Sequence, residues 1–207
     1  MELKGKRIGF GITGSFCTFA AVLPEMQRLM EAGAIIIPIM SEAAAGFDTR
    51  FGRALDFVEQ IEKMTGQKVI QSIIEAEPIG PKELLDLMII APCTGNTLAK
   101  FANGITDSAV LMAAKAQLRN ERPVLVAIST NDGLSNNAKN LGILLNRKHV
   151  YMVPFGQDDP FGKSRSLVAD MTLILPAAGM ALEGRQIQPL LVQVSATADQ
   201  REILRVR

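Results

Sequence analysis

The feature that most constrains the fold is a set of polar or glycine-rich segments, each placed directly after an apolar strand candidate. They are Thr13–Ser15, Ser41–Glu42, Pro92–Thr97, Ser129–Asp132 and Pro154–Pro160. The carboxyl ends of parallel strands share one edge of a sheet, so these segments should converge on one crevice, where open α/β sheets bind ligands. Glycines, hydroxyls and helix N-termini in such a crevice suit a phosphate-bearing cofactor.

The strand candidates alternate with helical patterns along the chain. Apolar runs predict strands over 7–13, 34–40, 84–91, 124–128 and 150–153, with a short strand over 68–70 and an edge strand over 189–194. Helical spacing of apolar residues is found over 16–32, 42–66, 98–102, 106–120, 135–147 and 160–183, the last interrupted at Pro176. This alternation predicts an α/β protein with a flavodoxin-like, three-layer, doubly wound parallel sheet. We expect residues 1–194 to form a single domain and residues 195–207 to form a polar C-terminal tail.

Composition excludes several classes of function. Hydrophobic residues make up 48% of the 207 residues and charged residues 21%, which is typical of a globular α/β protein. The net charge of +1 gives no reason to expect binding to nucleic acid or to a membrane. No signal peptide or spanning run of about 18 apolar residues is visible. Two cysteines and one histidine do not predict a disulfide scaffold or a metal site. A cytoplasmic enzyme or binding protein fits best.

One glycine motif admits two interpretations. Gly9, Gly11 and Gly14 match G-x-G-x-x-G, the fingerprint of dinucleotide-binding folds. That fingerprint follows a complete strand, whereas only a short piece of strand precedes Gly9 here. The second strand also ends at Ser41 instead of at an acidic residue that would hold a ribose. We therefore expect Gly9 and Gly11 to lie in the strand, Gly14 and the residue after it to form the turn, and NAD to be the weaker choice of cofactor.

Three segments resemble the flavoprotein family of cysteine decarboxylases and flavin prenyltransferases. They are Gly11–Ser15 at the first turn, Ser41 after the second strand, and Ala91–Asp107 with the sequence APCTGNTLAKFANGITD. The resemblance covers roughly the first two thirds of the chain, and the third segment is its most specific part. It implies bound FMN and a homo-oligomer based on trimers, with the flavin at the boundary between two protomers.

The resemblance also implies which residues hold the cofactor. The phosphate and ribityl chain of FMN would be bound by Thr13, Gly14, Ser15 and Ser41, and the flavin would be lined by Thr94, Gly95, Asn96 and Thr97. In the later segment Ser129–Asn131 only Asn131 resembles the family, so this residue is a weaker assignment.

The family's decarboxylating members rely on a histidine in the helical region after the second strand. Residues 42–66 contain no histidine, and His149 lies near the wrong edge of the sheet. The usual proton-handling group is therefore missing, so we expect flavin binding without cysteine decarboxylation and assign no catalytic residue.

The loop Pro154–Pro160, with Ser164–Asp170 behind it, resembles one branch of that family, in which the flavoprotein is one component of an oxidoreductase. This resemblance implies a partner A subunit with its own nucleotide-binding fold, a small dicarboxylate substrate and a role in spore formation. Lys163 and Arg165 would grip such a substrate, since arginine binds a carboxylate through two parallel hydrogen bonds. A plain basic loop explains them equally well. Two alternative functions are a phosphopantothenoylcysteine-type decarboxylase and a non-catalytic nucleotide-binding subunit that stabilises a partner.

Other residues with reactive side chains have simpler interpretations. We expect Cys93 to be a small buried residue beside the flavin, and Cys17 to pack in the core, although a first helical turn can lower a thiol pKa. Asp158 and Asp159 are expected to be solvated loop carboxylates. Asp107 is expected to start a helix, where a carboxylate is favourable.

Overall fold

A computed structural model describes residues 3–193, and a mostly parallel sheet forms its centre. The strands are β1 (Arg7–Ile12), β2 (Ile35–Met40), β3 (Leu87–Cys93), β4 (Val124–Thr130), β5 (Val150–Met152), β6 (Phe155–Gly156) and β7 (Leu167–Ala169). Strands β2, β1, β3, β4 and β5 lie side by side in that order, and every neighbouring pair is parallel. The predicted α/β, flavodoxin-like doubly wound fold is confirmed. The predicted tail 195–207 lies outside the described residues.

The central strands are buried because helices cover both faces of the sheet. All residues of β3 are buried, and five of the six residues of β1 are buried. Strands covered on both faces show continuous apolar runs, which is why the sequence marks them clearly.

The glycines inside β1 make room for their neighbours. A Cβ atom on Gly9 would lie 2.5 Å from Leu85 Cδ1, and one on Gly11 would lie 2.6 Å from Met88 Cε. Both glycines are therefore packing residues within the strand, as the sequence predicts, and the turn begins beyond Ile12. This geometry does not support the dinucleotide fingerprint.

Helices flank the sheet. They are α1 (Phe19–Glu31), α2 (Glu42–Gly46), α3 (Ala54–Thr65), α4 (Ile73–Ala76), α5 (Gly95–Ala102), α6 (Ala109–Arg119), α7 (Ala138–Leu145) and α8 (Ile174–Leu182). Helix α1 packs with α8, whereas α5 packs with both α6 and α7. Since parallel crossovers are right-handed, the reversal of strand order between β1 and β3 places these two groups on opposite faces. No helix among residues 3–193 has the length and apolar content to span a bilayer.

The segment after Pro160 differs from the prediction. The helix predicted over 160–183 is replaced in its first half by β7, which forms an antiparallel hairpin with β6. The reason lies in β4. Strand β5 pairs only with residues 124–126 of β4, and β7 pairs with residues 129–130, which β5 leaves open. The helical prediction holds only for α8 and the 3₁₀ turn before it.

Smaller differences occur at the edges of the predicted elements. The helical region 42–66 is two helices, α2 and α3, with a break between them. The predicted strands 68–70 and 189–194 are reduced to single bridges, Ile39 with Ile70 and Phe155 with Leu191. The short helix α4 was not predicted, although Ser72 and Glu75 form a capping box, which is a known sequence signal.

Candidate functional site

Thr13 joins the turn after β1 to the segment after β3. Its side chain is buried, and its hydroxyl donates to the carbonyl oxygen of Pro92 at 2.6 Å and accepts from the backbone N–H of Thr94 at 3.0 Å. Two walls of the crevice are therefore fixed to each other by one side chain. Thr13 shapes the predicted cofactor site through these bonds to protein atoms.

A triangle of hydroxyl groups connects the first turn to the end of β4. Ser15 Oγ lies 2.9 Å from Thr18 Oγ1 and 2.9 Å from Ser129 Oγ, and the latter two atoms are 3.0 Å apart. Thr18 was not among the predicted site residues, although its position one turn after Ser15 places both hydroxyls on the same side. The third wall, formed by the segment after β4, is thus linked to the first.

Ser41 and Thr94 cap the helices that begin at this edge of the sheet. Ser41 Oγ accepts from the N–H of Ala44 at 3.3 Å at the start of α2, and Thr94 Oγ1 accepts from the N–H of Thr97 at 3.3 Å at the start of α5. The first-turn N–H groups of α5 include those of Gly95 and Asn96. Such N–H groups and the helix dipole favour a negatively charged group.

Gly95 allows a polar cluster from the segment after β4 to approach α5 closely. A Cβ atom at Gly95 would lie 2.4 Å from Thr130 Oγ1, 2.7 Å from Asn137 Nδ2 and 2.8 Å from Asp132 Oδ1. These three side chains bond to one another, since Asp132 accepts from Thr130 at 2.5 Å and from Asn137 at 2.8 and 2.9 Å. The hydrogen bonds, that from Thr130 first, hold the pKa of Asp132 below its usual value. Asn131 lies exposed in the same segment.

A cavity of about 220 Å³ lies between the starts of α2, α5 and α6. It brings together four predicted cofactor residues, namely Ser41, Thr94, Asn96 and Thr97. The turn residues Thr13, Gly14 and Ser15, with Gly95 and Asn131, belong to the crevice walls but do not line this cavity.

The cavity also contains charged residues that the sequence did not predict to be functional. Lys100 and Glu42 line it, and Lys100 Nζ lies 2.6 Å from Asp107 Oδ2. The signal for Lys100 is its spacing from Asn96, since residues four apart share one face of a helix. Asp107, expected to start a helix, precedes the actual cap residue Ser108, whose hydroxyl accepts from the N–H of Leu111.

The predicted substrate residues lie in the loop between β6 and β7. Lys163 Nζ is 3.5 Å from Asp158 Oδ2, and both Lys163 and Arg165 are exposed. The carbonyl oxygen of Arg165 accepts from the N–H of Leu134 at 2.9 Å, so this loop adjoins the segment after β4. Neither basic residue lines the 220 Å³ cavity.

The reactive side chains are arranged as follows. Cys93 is buried, and burial raises the pKa of its thiol, which does not suit a nucleophile. Cys17 is exposed, so the expectation that it packs in the core is wrong. The carbonyl of His149 accepts from the N–H of Val124 at the start of β4, which places this histidine at the amino edge of the sheet, opposite the crevice. Residues 3–193 contain no cluster of His, Cys, Asp and Glu that could hold a metal ion.

Comparisons with known proteins agree with this fold. The Flavoprotein family model matches residues 1–173. The chain is 51% identical over 192 residues to the B subunit of dipicolinate synthase from Bacillus subtilis (strain 168), an alignment that covers 93% of this chain and 96% of that protein. It is 33% identical over 157 residues to flavin prenyltransferase UbiX of Saccharolobus solfataricus, covering 73% of this chain and 75% of that protein.

Solved structures give the same result. The B subunit of dipicolinate synthase from Bacillus halodurans superposes with a TM-score of 0.87 and 47% identity, covering 94% of this chain and all of that one. The FMN-dependent cysteine decarboxylase SpaF has a TM-score of 0.64 and 21% identity, over 86% of this chain and 97% of its own, and shows the fold alone. A resemblance to the B subunit of dipicolinate synthase is predicted from two segments, Pro154–Pro160 and Ser164–Asp170. This prediction is confirmed. The chain belongs to the Flavoprotein family.

Proposed function

We propose that this chain is the FMN-binding B subunit of a dipicolinate synthase. Together with an A subunit it would oxidise a dihydrodipicolinate-type precursor to dipicolinate during sporulation, in the cytoplasm. The observation that carries the proposal is the 51% identity to the B subunit of a dipicolinate synthase along 93% of the chain. That relative is a B subunit, which supports the existence of a partner subunit. We also propose that residues 1–194 of this chain form a single domain.

The crevice residues fit FMN by their chemistry. Ser15 and Ser41 offer neutral hydroxyls, and the starts of α2 and α5 offer backbone N–H groups, which together suit a phosphate. We assign Thr13, Gly14, Ser15 and Ser41 to the phosphate and ribityl chain, and Thr94–Thr97 with Asn131 to the flavin. When bound, FMN would accept the hydride that leaves the ring as it becomes aromatic.

The cavity encloses only part of the proposed cofactor site. Its volume of about 220 Å³ is below the range of about 300–1,000 Å³ that is usual for ligand pockets. The rest of the cofactor would contact Thr13, Gly14, Ser15 and Asn131, which lie outside this cavity, and a second copy of the chain. We propose a homo-oligomer based on trimers, with the flavin at the boundary between two protomers.

A dicarboxylate substrate needs cations. Lys100 lines the cavity, but its ammonium group is paired with Asp107 at 2.6 Å. We assign Lys163 and Arg165 to the substrate because their loop adjoins the segment after β4. Lys163 also has a carboxylate neighbour, Asp158 at 3.5 Å, so Arg165 is the main candidate of the two. An arginine can bind one carboxylate through two parallel hydrogen bonds, which orients the ring as well as holding it.

The absence of a histidine from residues 42–66 argues against the decarboxylase alternative. The non-catalytic alternative, in which this chain only stabilises its partner, is separated from the proposal by experiment. The purified chain should be loaded with FMN, mixed with the A subunit and given the precursor without air. Bleaching of the flavin absorbance supports the proposal. Dipicolinate formation while the flavin of this chain stays oxidised would contradict it.

The cofactor is tested separately by titration. Ser15→Ala and Ser41→Ala should each weaken FMN binding by roughly 1–3 kcal/mol per lost phosphate hydrogen bond. Ser41 also caps α2, so Ser72→Ala, which removes the cap of α4 outside the cavity, is the matched control and should leave FMN affinity unchanged. Uptake of NAD without uptake of flavin would refute the assignment.

A further inference from the structure

A second cavity lies outside the proposed cofactor site. Its volume is about 380 Å³, within the range of about 300–1,000 Å³ that is usual for sites of small organic molecules. It lies beside α6 and the loop that joins α5 to α6, and of the residues lining the 220 Å³ cavity it shares Leu111 alone. The loop therefore separates two cavities of different character.

The second cavity combines an apolar lining with a positively charged rim. Phe101, Ile105, Leu111 and Leu118 supply the apolar lining, and about half of the Ile105 side chain is exposed. The charged lining residues are Lys115, Arg119 and Arg147, and no carboxylate is among the residues that line it. A ligand that fits this cavity has an apolar body and negative charge.

Two of the three cations have neither an ion pair nor a side-chain hydrogen bond within residues 3–193. Lys115 and Arg119 are both exposed, and neither forms an ion pair within residues 3–193. They are four residues apart on α6, and like charges at this spacing destabilise a helix. The helix dipole accounts for Arg119 in the last turn of α6 but not for Lys115. An anion between the two side chains would remove their repulsion.

The third cation is already held in place. Arg147 donates to the carbonyl oxygens of Phe101 at 3.1 Å and Ala102 at 3.3 Å, and its guanidinium carbon lies 5.8 Å from the centre of the Phe101 ring. A guanidinium group has five N–H donors, so these two bonds leave others for a ligand. Because its position is fixed by the protein, little ordering is needed when a ligand binds.

We propose that this cavity binds a small organic carboxylate, with its ring or alkyl body on the apolar lining and its carboxylate between Lys115, Arg119 and Arg147. The site is separate from the FMN crevice and does not depend on the proposed function.

The proposal can be tested by NMR on the full chain with ¹³C-labelled isoleucine and leucine methyl groups. Benzene-1,3-dicarboxylate should shift the methyl signals of Ile105 and Leu118. Lys115→Gln with Arg119→Gln should raise its dissociation constant tenfold or more, since each lost charged hydrogen bond is worth about a factor of ten. The matched control is Lys63→Gln with Lys139→Gln, which removes the same charge from exposed positions on α3 and α7 and should change nothing.

Several results would overturn the proposal. Unshifted methyl signals at millimolar dicarboxylate would do so, as would shifts that persist in the Lys115→Gln, Arg119→Gln variant. Equal binding of uncharged benzyl alcohol would mean that the cavity recognises only apolar groups. The methyl signals could also shift with protein concentration or when the A subunit is added. If the dicarboxylate does not compete with those shifts, this face is a protein contact and not a ligand site. An FMN titration of the same variant should match the wild type, so failure here and failure of the cofactor assignment are distinguishable.

Discussion

Gly95→Ala is the most direct test of how the crevice is built. The added Cβ would lie 2.4–2.8 Å from Thr130 Oγ1, Asn137 Nδ2 and Asp132 Oδ1, all of them members of one hydrogen-bonded cluster. Real Cβ atoms do not approach other atoms so closely. The start of α5 must therefore shift against the segment after β4, and we expect at least one hydrogen bond to Asp132 to break as it does.

The loss of folding stability in Gly95→Ala can be estimated from these two effects. Overpacking costs about 1–3 kcal/mol, and a lost hydrogen bond to a charged group costs about 1.5–3 kcal/mol. The higher helix propensity of alanine stabilises the folded protein by at most about 1 kcal/mol relative to glycine. We therefore expect Gly95→Ala to lower the free energy of unfolding by about 2–4 kcal/mol, which for a chain of this size lowers Tm by about 5–15 °C. FMN affinity should fall as well, because α5 carries the Thr94–Thr97 segment.

The measurement is urea and thermal unfolding followed by circular dichroism, with Gly142→Ala as the control. Gly142 lies inside α7, and a Cβ there would meet nothing within 4 Å. This substitution should stabilise the protein by about 0.5–1 kcal/mol through helix propensity alone. The reasoning is refuted if Gly95→Ala has the same free energy of unfolding as the wild type while Gly142→Ala is stabilised. The polar cluster would then not lie as close to α5 as the structure shows.

Three further predictions concern pH, chemistry and substrate. Because hydrogen bonds from Thr130 and Asn137 lower the pKa of Asp132 in the folded state, their stabilisation is present above the unfolded pKa of about 4 and is lost as pH falls through the folded pKa. Urea unfolding between pH 7 and pH 3 should show a smaller decline in Asp132→Asn than in the wild type, and parallel curves would contradict this. The chain should release no carbon dioxide from phosphopantothenoylcysteine or from a peptide ending in cysteine, and flavin-dependent release would refute that expectation. Arg165→Ala should leave FMN binding intact but raise the KM for the precursor, or abolish turnover, in the complex with the A subunit. Wild-type kinetics for Arg165→Ala would show that its loop does not contact the substrate.

The sequence predicts the sheet well because parallel strands covered on both faces must be apolar throughout. β3 and β4 show this pattern over several residues, and the polar segments behind them are placed at one edge by topology alone. The convergence of Ser41 with Thr94, Asn96 and Thr97 on one cavity follows from that edge.

The hairpin β6–β7 could not be predicted for a physical reason. β7 is three residues long, and alternation over three residues does not distinguish a strand from one turn of a helix. Its formation depends on residues 129–130 of β4, which are far away in the sequence and are left unpaired by β5. Likewise, Cys17 lies in the 3₁₀ turn Phe16–Thr18 that precedes α1 and is exposed there, whereas the sequence led us to expect it in the core.

The hydrogen bonds of the crevice join its walls to one another, and they do not identify a group that would move a proton. Thr13 and Ser15 bond to groups on neighbouring loops, and Thr94 caps α5, which holds the walls in place before any ligand binds. Of the titratable side chains that line the 220 Å³ cavity, Lys100 and Asp107 are tied to each other. Glu42 is the remaining carboxylate, and no described side chain bonds to it. Since residues 42–66 contain no histidine and no hydrogen bond within residues 3–193 orients Glu42, we assign the proton acceptor to no residue of this chain.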